Sequence, residues 1–242
     1  DVRQRWDTFL SAAATANISP PDDPDVLSQI HRVWGLSEFV SKSCIQDPVV
    51  LDSLLSSGDL TRQYRKDEYS ERLKGMRSTL RDETTLNREI RRLRRREMVR
   101  IAWRDLAGLA GLSETMADLT TFADACIEEV LAQLYQWQST QYGIPTSVDG
   151  TRQCLVVVGM GKLGGRELNF SSDVDLIFAY PDTGHTVGGR TNILNEEFFV
   201  RLCRKLIKVM GMTTSDGMLF RVDSRLRPAG ESGPGRIPGD HR

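Results

Sequence analysis

Two aspartates one residue apart, Asp173 and Asp175, follow closely on the glycine-rich stretch Gly159-Met160-Gly161-Lys162-Leu163-Gly164-Gly165. Val174, Leu176 and Phe178 alternate with Asp173, Asp175 and Ile177, so a strand here buries the first set and holds both carboxylates on its other face. Adjacent hard oxygen ligands suit Mg²⁺, with Mn²⁺ as the alternative ion. A third acid, Asp223, lies in Phe220-Arg221-Val222-Asp223-Ser224-Arg225-Leu226-Arg227-Pro228, which also alternates like a strand. Three carboxylates on neighbouring strands suit a two-metal nucleotidyl-transfer site, where one ion activates the attacking oxygen and the other steadies the leaving phosphate.

Each feature has a plainer reading. The aspartates could face solvent on an edge strand, the glycines could make a simple tight turn, and Asp223 among arginines could be an intrastrand ion-pair ladder. Their combination favours chemistry: like charges on one strand face repel, and a divalent cation offsets that repulsion. Glycine lets the backbone approach a phosphate closely, and Lys162 adds positive charge. Gly159, Gly161 and Gly164 formally match the dinucleotide fingerprint, but too few residues separate Gly164 from Val174 for the crossover helix it needs. A P-loop also fails, because Gly164 is followed by Gly165 and not by Lys and Ser or Thr.

The elements that must position these groups fall into two regions. From Val2 to about Tyr142 the periodicity is helical, broken at Pro20-Pro21, Asp47-Pro48, Ser57-Gly58 and Gly111. The spacing predicts one helix over about Glu83 to Gly108 and another capped at Ser113. Turn residues from Tyr142 to Gly150 mark a boundary near residue 145, followed by a fully buried strand at Leu155 to Val158. The Asp173 strand, a loop from Pro181 to Arg190, a helix over Asn195 to Met210 and a strand over Met218 to Leu226 complete the pattern. The expected fold is α+β: a helical region over 1–145, a nucleotidyltransferase-like core with a small mixed sheet over 146–234, and an irregular tail over 235–242.

Composition is that of a soluble globular protein, with 39% hydrophobic and 27% charged residues. No run approaches the ~18 apolar residues of a membrane span, and the first residues lack a signal-peptide pattern, so the chain reads as cytoplasmic. Residues 1–150 carry 19 basic and 23 acidic groups and residues 151–242 carry 13 and 10, which makes the motif-bearing part mildly basic, as an anionic substrate prefers. Cys44, Cys126, Cys154 and Cys203 have no CxxC spacing and read as small buried thiols. His31, His185 and His241 have no apparent partners. The run Arg91 to Arg96 interrupts a regular helix with few aromatics interleaved, so an intramolecular or solvated role is favoured over nucleic acid. Arg201, Arg204, Lys205 and Lys208 share one side of their helix and read as a solvated face.

The segments GMGKLGGRELNFSSDVDLIF, FRVDSRLRPAGESGP and RRLRRREMVRIAWRDLAGLA closely resemble the bifunctional glutamine synthetase adenylyltransferase/adenylyl-removing enzymes of bacteria, over a match from near the start to about Pro234. That family carries two nucleotidyltransferase-like domains. The helical prelude, Asn169-Phe170 and Gly230-Glu231-Ser232-Gly233 look like the N-terminal, adenylyl-removing one. The resemblance implies phosphorolysis, in which inorganic phosphate attacks AMP on a glutamine synthetase tyrosine to give ADP. It implies Asp173, Asp175 and Asp223 as Mg²⁺ ligands, and Gly161, Lys162, Gly164, Ser172, Arg225 and Arg227 as phosphate or nucleotide contacts. It also implies glutamine synthetase and a PII-type signalling protein as partners, with neither nucleic acid nor membrane. Family members continue beyond Pro234, so the chain reads as truncated. Two alternatives stay open: ATP-dependent adenylylation of the same tyrosine, and a catalytically silent module that binds glutamine synthetase or PII.

Overall fold

A computed structural model of the chain describes residues 1–214 and 216–223. Local signals start several of its helices. Asp1 accepts a hydrogen bond from the backbone N–H of Arg3 at the head of α1 (Val2–Thr15), and Asp23 caps α2 (Pro24–Leu36), whose first residue is a proline. Ser37 ends α2 and caps α3 (Glu38–Gln46), and α4 (Val49–Ser56) and α5 (Glu68–Gly75) follow. Asp82 caps α6 (Glu83–Leu106) by accepting from Thr85 N at 2.7 Å. The next helix, α7 (Leu112–Tyr142), begins at Gly111 with no side-chain cap, so Ser113 lies inside the helix and does not cap it.

Helix α6 is the spine between two hydrophobic clusters. Its Val99, Ala102 and Trp103 pack with Phe9, Trp34, Leu51 and Leu54 of the first helices, while its Leu86, Ile90, Met98 and Ile101 join Phe122, Val130 and Leu134 of α7. Each such fully buried large side chain contributes about 1.5–3 kcal/mol. The second cluster continues without a break across residue 145 to Leu155, Val174, Leu176, Phe220 and the buried stripe Phe198, Phe199, Leu202 and Leu206 of α9 (Asn195–Gly211).

The Arg91–Arg96 run is largely consumed inside the molecule. Buried Arg91 donates to Val209 O at 2.8 Å and Met212 O at 2.7 Å, carbonyls at the end of α9 that the helix itself leaves open, and to Gly217 O beyond it at 3.0 Å. Arg96 donates to Asp59 and Glu97, and Arg95 pairs with Asp216 at 3.6 Å. Asp59, fully buried, also binds Arg62, Arg72 and Tyr64, and Arg100 pairs with Asp118 at 2.7 Å. Charges taken out of water persist only with such partners.

Five strands are present among the described residues. β1 (Gly143–Thr146) pairs antiparallel with β4 (His185–Gly188). Both fall in stretches expected to be loop, and Gly143 sits so close to Val187 O that a Cβ there would lie 2.5 Å away. β2 (Val156–Met160), β3 (Val174–Ala179) and β5 (Val222–Asp223) form a mixed sheet in the order β2-β3-β5, the first pair antiparallel and the second parallel. β2 is an edge strand with Val156 and Val158 exposed, not the fully buried strand expected. The strand expected over Met218 to Leu226 is only β5 within the described residues, which end at Asp223. Cys154 is exposed just before β2, and the other three cysteines are buried as read. No helix among the described residues is long and apolar enough to cross a membrane.

Candidate active site

Sheet register brings the acids to one edge. Val174 and Leu176 are buried beneath β3, and Val222 packs on the same core from β5. The alternate positions therefore face away from the core, and Asp175 is the direct register partner of Asp223 on the parallel neighbour. Asp173 immediately precedes β3. Its carboxylate pairs with Arg221, whose carbonyl accepts from Val174 N at 2.9 Å and extends the ladder.

The glycine turn is shaped by close packing. Met160 ends β2, and the single turn α8 (Gly161–Gly164) follows with Lys162 exposed and Leu163 buried. Gly161 has φ +53°, and a Cβ on it would collide with Asp175 Oδ2. A Cβ on Gly164 would lie 2.6 Å from Gly159 O, and one on Gly159 would lie 2.8 Å from Leu163 Cδ2. The turn therefore reaches the acid edge only because these three positions have no side chain.

Asn169 organises the loop before β3. Its Oδ1 accepts from Ser171 N at 3.1 Å and from Ser172 Oγ at 2.9 Å, while Ser172 Oγ accepts from Asn169 N at 3.1 Å. Ser172 thus stands beside Asp173, tied to this turn. Gly161, Lys162, Gly164, Ser172, Asp173, Asp175 and Asp223 all belong to this one edge of the sheet; Arg225 and Arg227 lie outside the described residues. The basic residues of α9 are elsewhere, with Arg201 paired to Glu197 and Lys205 to Glu83.

The donor set, three carboxylates at paired or alternate positions, has the hard oxygen chemistry of a Mg²⁺ site. Asp175 and Asp223 would hold such an ion, and Asp173 would join them by leaving Arg221. Among the described residues no three His, Cys, Asp or Glu side chains stand gathered as a metal cage. Sequence reasoning missed the Asp173–Arg221 pair. Arg221 was legible as a strand neighbour of Asp223, but its partner depends on the parallel pairing of β3 with β5.

Beside Asp173 a cavity of about 290 Å³ opens, lined among others by Arg94, Ser171, Ser172, Phe220 and Arg221. A second, larger and mainly apolar groove of about 760 Å³ runs between α7 and β1, away from the acids, with Leu131, Tyr135, Ile144 and Val187 in its walls.

The family model of glutamate-ammonia ligase adenylyltransferase matches residues 27–238. The chain is 48% identical over 227 residues to a bifunctional glutamine synthetase adenylyltransferase/adenylyl-removing enzyme of Nitrosococcus oceani, covering 93% of this chain and 23% of that protein. Proteins of the same description from Thioalkalivibrio sulfidiphilus and Pseudomonas aeruginosa are each 44% identical, over 97% and 93% of this chain and 24% and 23% of theirs. The chain thus spans about a quarter of the length of the curated relatives it matches.

Proposed function

The chain belongs to the glutamate-ammonia ligase adenylyltransferase family, and from that premise we propose that its acid edge removes AMP from a tyrosine of glutamine synthetase by phosphorolysis. The observation that carries this reading is the register pairing of Asp175 with Asp223, with Asp173 two residues before Asp175 and the glycine turn packed against them. An oxygen of inorganic phosphate bonds to the AMP phosphorus, and the phosphorus–oxygen bond to the tyrosine breaks. The products are ADP and a phenolate, which takes up a proton. A divalent ion bound by the carboxylates supplies electrophilic activation of the phosphoryl group.

The chain's own residues do the rest. Asp175 and Asp223, paired across adjacent strands, would fix where positive charge sits, and Asp173 would complete the set on leaving Arg221. Lys162, exposed on the turn, offers a donor to phosphate oxygens, and Ser172 offers its hydroxyl on giving up Asn169 Oδ1, as the negative charge of those oxygens must be neutralised before in-line attack. Gly161 and Gly164 let the backbone come close. On this reading glutamine synthetase is the protein substrate, and a PII-type signalling protein is a regulatory partner.

The relatives' names carry both directions of AMP transfer, so ATP-dependent adenylylation is the second reading. The resemblance of the Asn169-Phe170 and Gly230–Gly233 segments to the removing domain favours the first. Incubating the chain with adenylylated glutamine synthetase, Mg²⁺ and phosphate separates the two: phosphorolysis yields ADP without ATP, whereas the reverse reading predicts modification of unmodified glutamine synthetase only when ATP is supplied.

A further inference from the structure

We propose that the cavity beside Asp173 binds inorganic phosphate, and that Arg94 is the residue that holds it. Of the arginine run, Arg91, Arg95 and Arg96 each find oxygen partners, and Arg92 is exposed. Arg94 is different. It is largely buried, its Nε is buried without a hydrogen-bond partner, and its guanidinium has no hydrogen bond or ion pair among the described residues. The Phe220 ring lies 5.6 Å from its guanidinium.

A guanidinium cannot discard its proton to escape this position. Burial holds its pKa below the usual arginine range, yet the group remains a cation that calls for an anion. The charged residues lining the cavity are Arg94, Arg221 and Asp173, and Asp173 is already paired with Arg221. Among the described residues, two positive charges against one negative leave one unit uncompensated, and it sits on Arg94. The planar fork of donors matches a tetrahedral oxyanion, and the hydroxyls of Ser171 and Ser172 line the same space. The cavity adjoins the carboxylate edge, so an anion held there stands next to the site of AMP transfer.

The choice of phosphate rests on the phosphorolysis reading; the demand for an anion does not. The test is direct binding of inorganic phosphate to this chain in metal-free buffer, followed by phosphorus NMR and calorimetry, on proteins whose fold is checked by circular dichroism. The expected result is saturable binding, weakened at least tenfold in Arg94→Met and partly restored in Arg94→Lys. Ser171→Asp, at an exposed position on the cavity wall, should weaken it by repulsion even where Arg94→Met does not fold. No binding, or equal binding by parent and Ser171→Asp, overturns the proposal. Loss of AMP binding in these variants with phosphate binding unchanged assigns the cation to a nucleotide phosphate and also overturns it. Arg94-dependent phosphate binding without ADP release from adenylylated glutamine synthetase would sink the functional reading and leave this site standing. ADP release with a KM for phosphate unaltered in both Arg94→Met and Ser171→Asp would do the reverse.

Discussion

Asp175 carries two constraints at once: its register partner is Asp223, and its Oδ2 occupies the space where a side chain on residue 161 would begin. Gly161→Ala therefore has to displace the carboxylate as well as adopt a left-handed backbone at φ +53°. The strain costs about 1–2 kcal/mol, and displacement of a reacting group by an ångström lowers turnover about 100-fold. The expected outcome is a folded variant with a small drop in melting temperature and a large drop in kcat; full activity would contradict the packing argument. The acids were legible because strand alternation writes itself into the sequence, with Val174, Leu176 and Val222 marking the buried side. Arg94 was not, since a charge in an arginine run reads as surface until the fold shows which one lacks a partner.

Helices α6 and α9 were legible from their periodicity, and their observed bounds fall within two residues of those expected. What joins them was not. Arg91 of α6 donates to three carbonyls at and beyond the end of α9 and so positions the segment leading to β5. Arg91→Met takes this donor from Val209 O and Met212 O, while Gly217 O keeps the Thr214 N–H, and with each orphaned carbonyl worth about 1–3 kcal/mol the loss should be about 2 kcal/mol or more by urea unfolding. A loss below 1 kcal/mol would mean that water replaces the guanidinium.

The ion network around α5 and α6 makes a prediction in pH. Hydrogen bonds from Arg62 draw Glu68 down to about 2, against the opposing effect of burial. Asp59 is raised by burial, but its bonds from Arg96, Tyr64 and Ser57 win and hold it well below the usual carboxylate range. A carboxyl depressed in the fold stabilises above its unfolded pKa of about 4 and loses that contribution as pH falls toward 2. Glu97, raised by burial, works in the opposite sense. Glu68→Gln should therefore be less stable than the parent at pH 7 and show a flatter decline between pH 4.5 and 2 in thermal melts; parallel profiles would contradict this. Strands β1 and β4 escaped the sequence because each is only four residues long, β1 holds a glycine and a proline, and Gly143 at φ +85° and Gly188 at φ +83° use the freedom that marks a turn.

Across the whole molecule, one hydrophobic cluster runs from α6 and α7 into β3 and α9. The change of pattern near residue 145 is real in the sequence, since helices give way there to strands, but side chains on both sides share a core that local periodicity cannot reveal. A chain ending at residue 145 would strip α7 of Phe198 and its neighbours and is expected to melt in a broadened, less cooperative transition; a sharp transition at the parent's temperature would show that the helical region stands alone. The shared core also ties the acid edge to the helices, because Val174 and Leu176 hold β3 on the same packing that α6 anchors. The central claim is that this edge performs phosphorolysis, and phosphate-dependent ADP release from adenylylated glutamine synthetase with Mg²⁺ tests it most directly. ADP from the parent chain, with at least a 100-fold loss in both Asp173→Asn and Asp175→Asn, is the predicted result; no ADP from a folded parent, or as much ADP from either variant as from the parent, would contradict it.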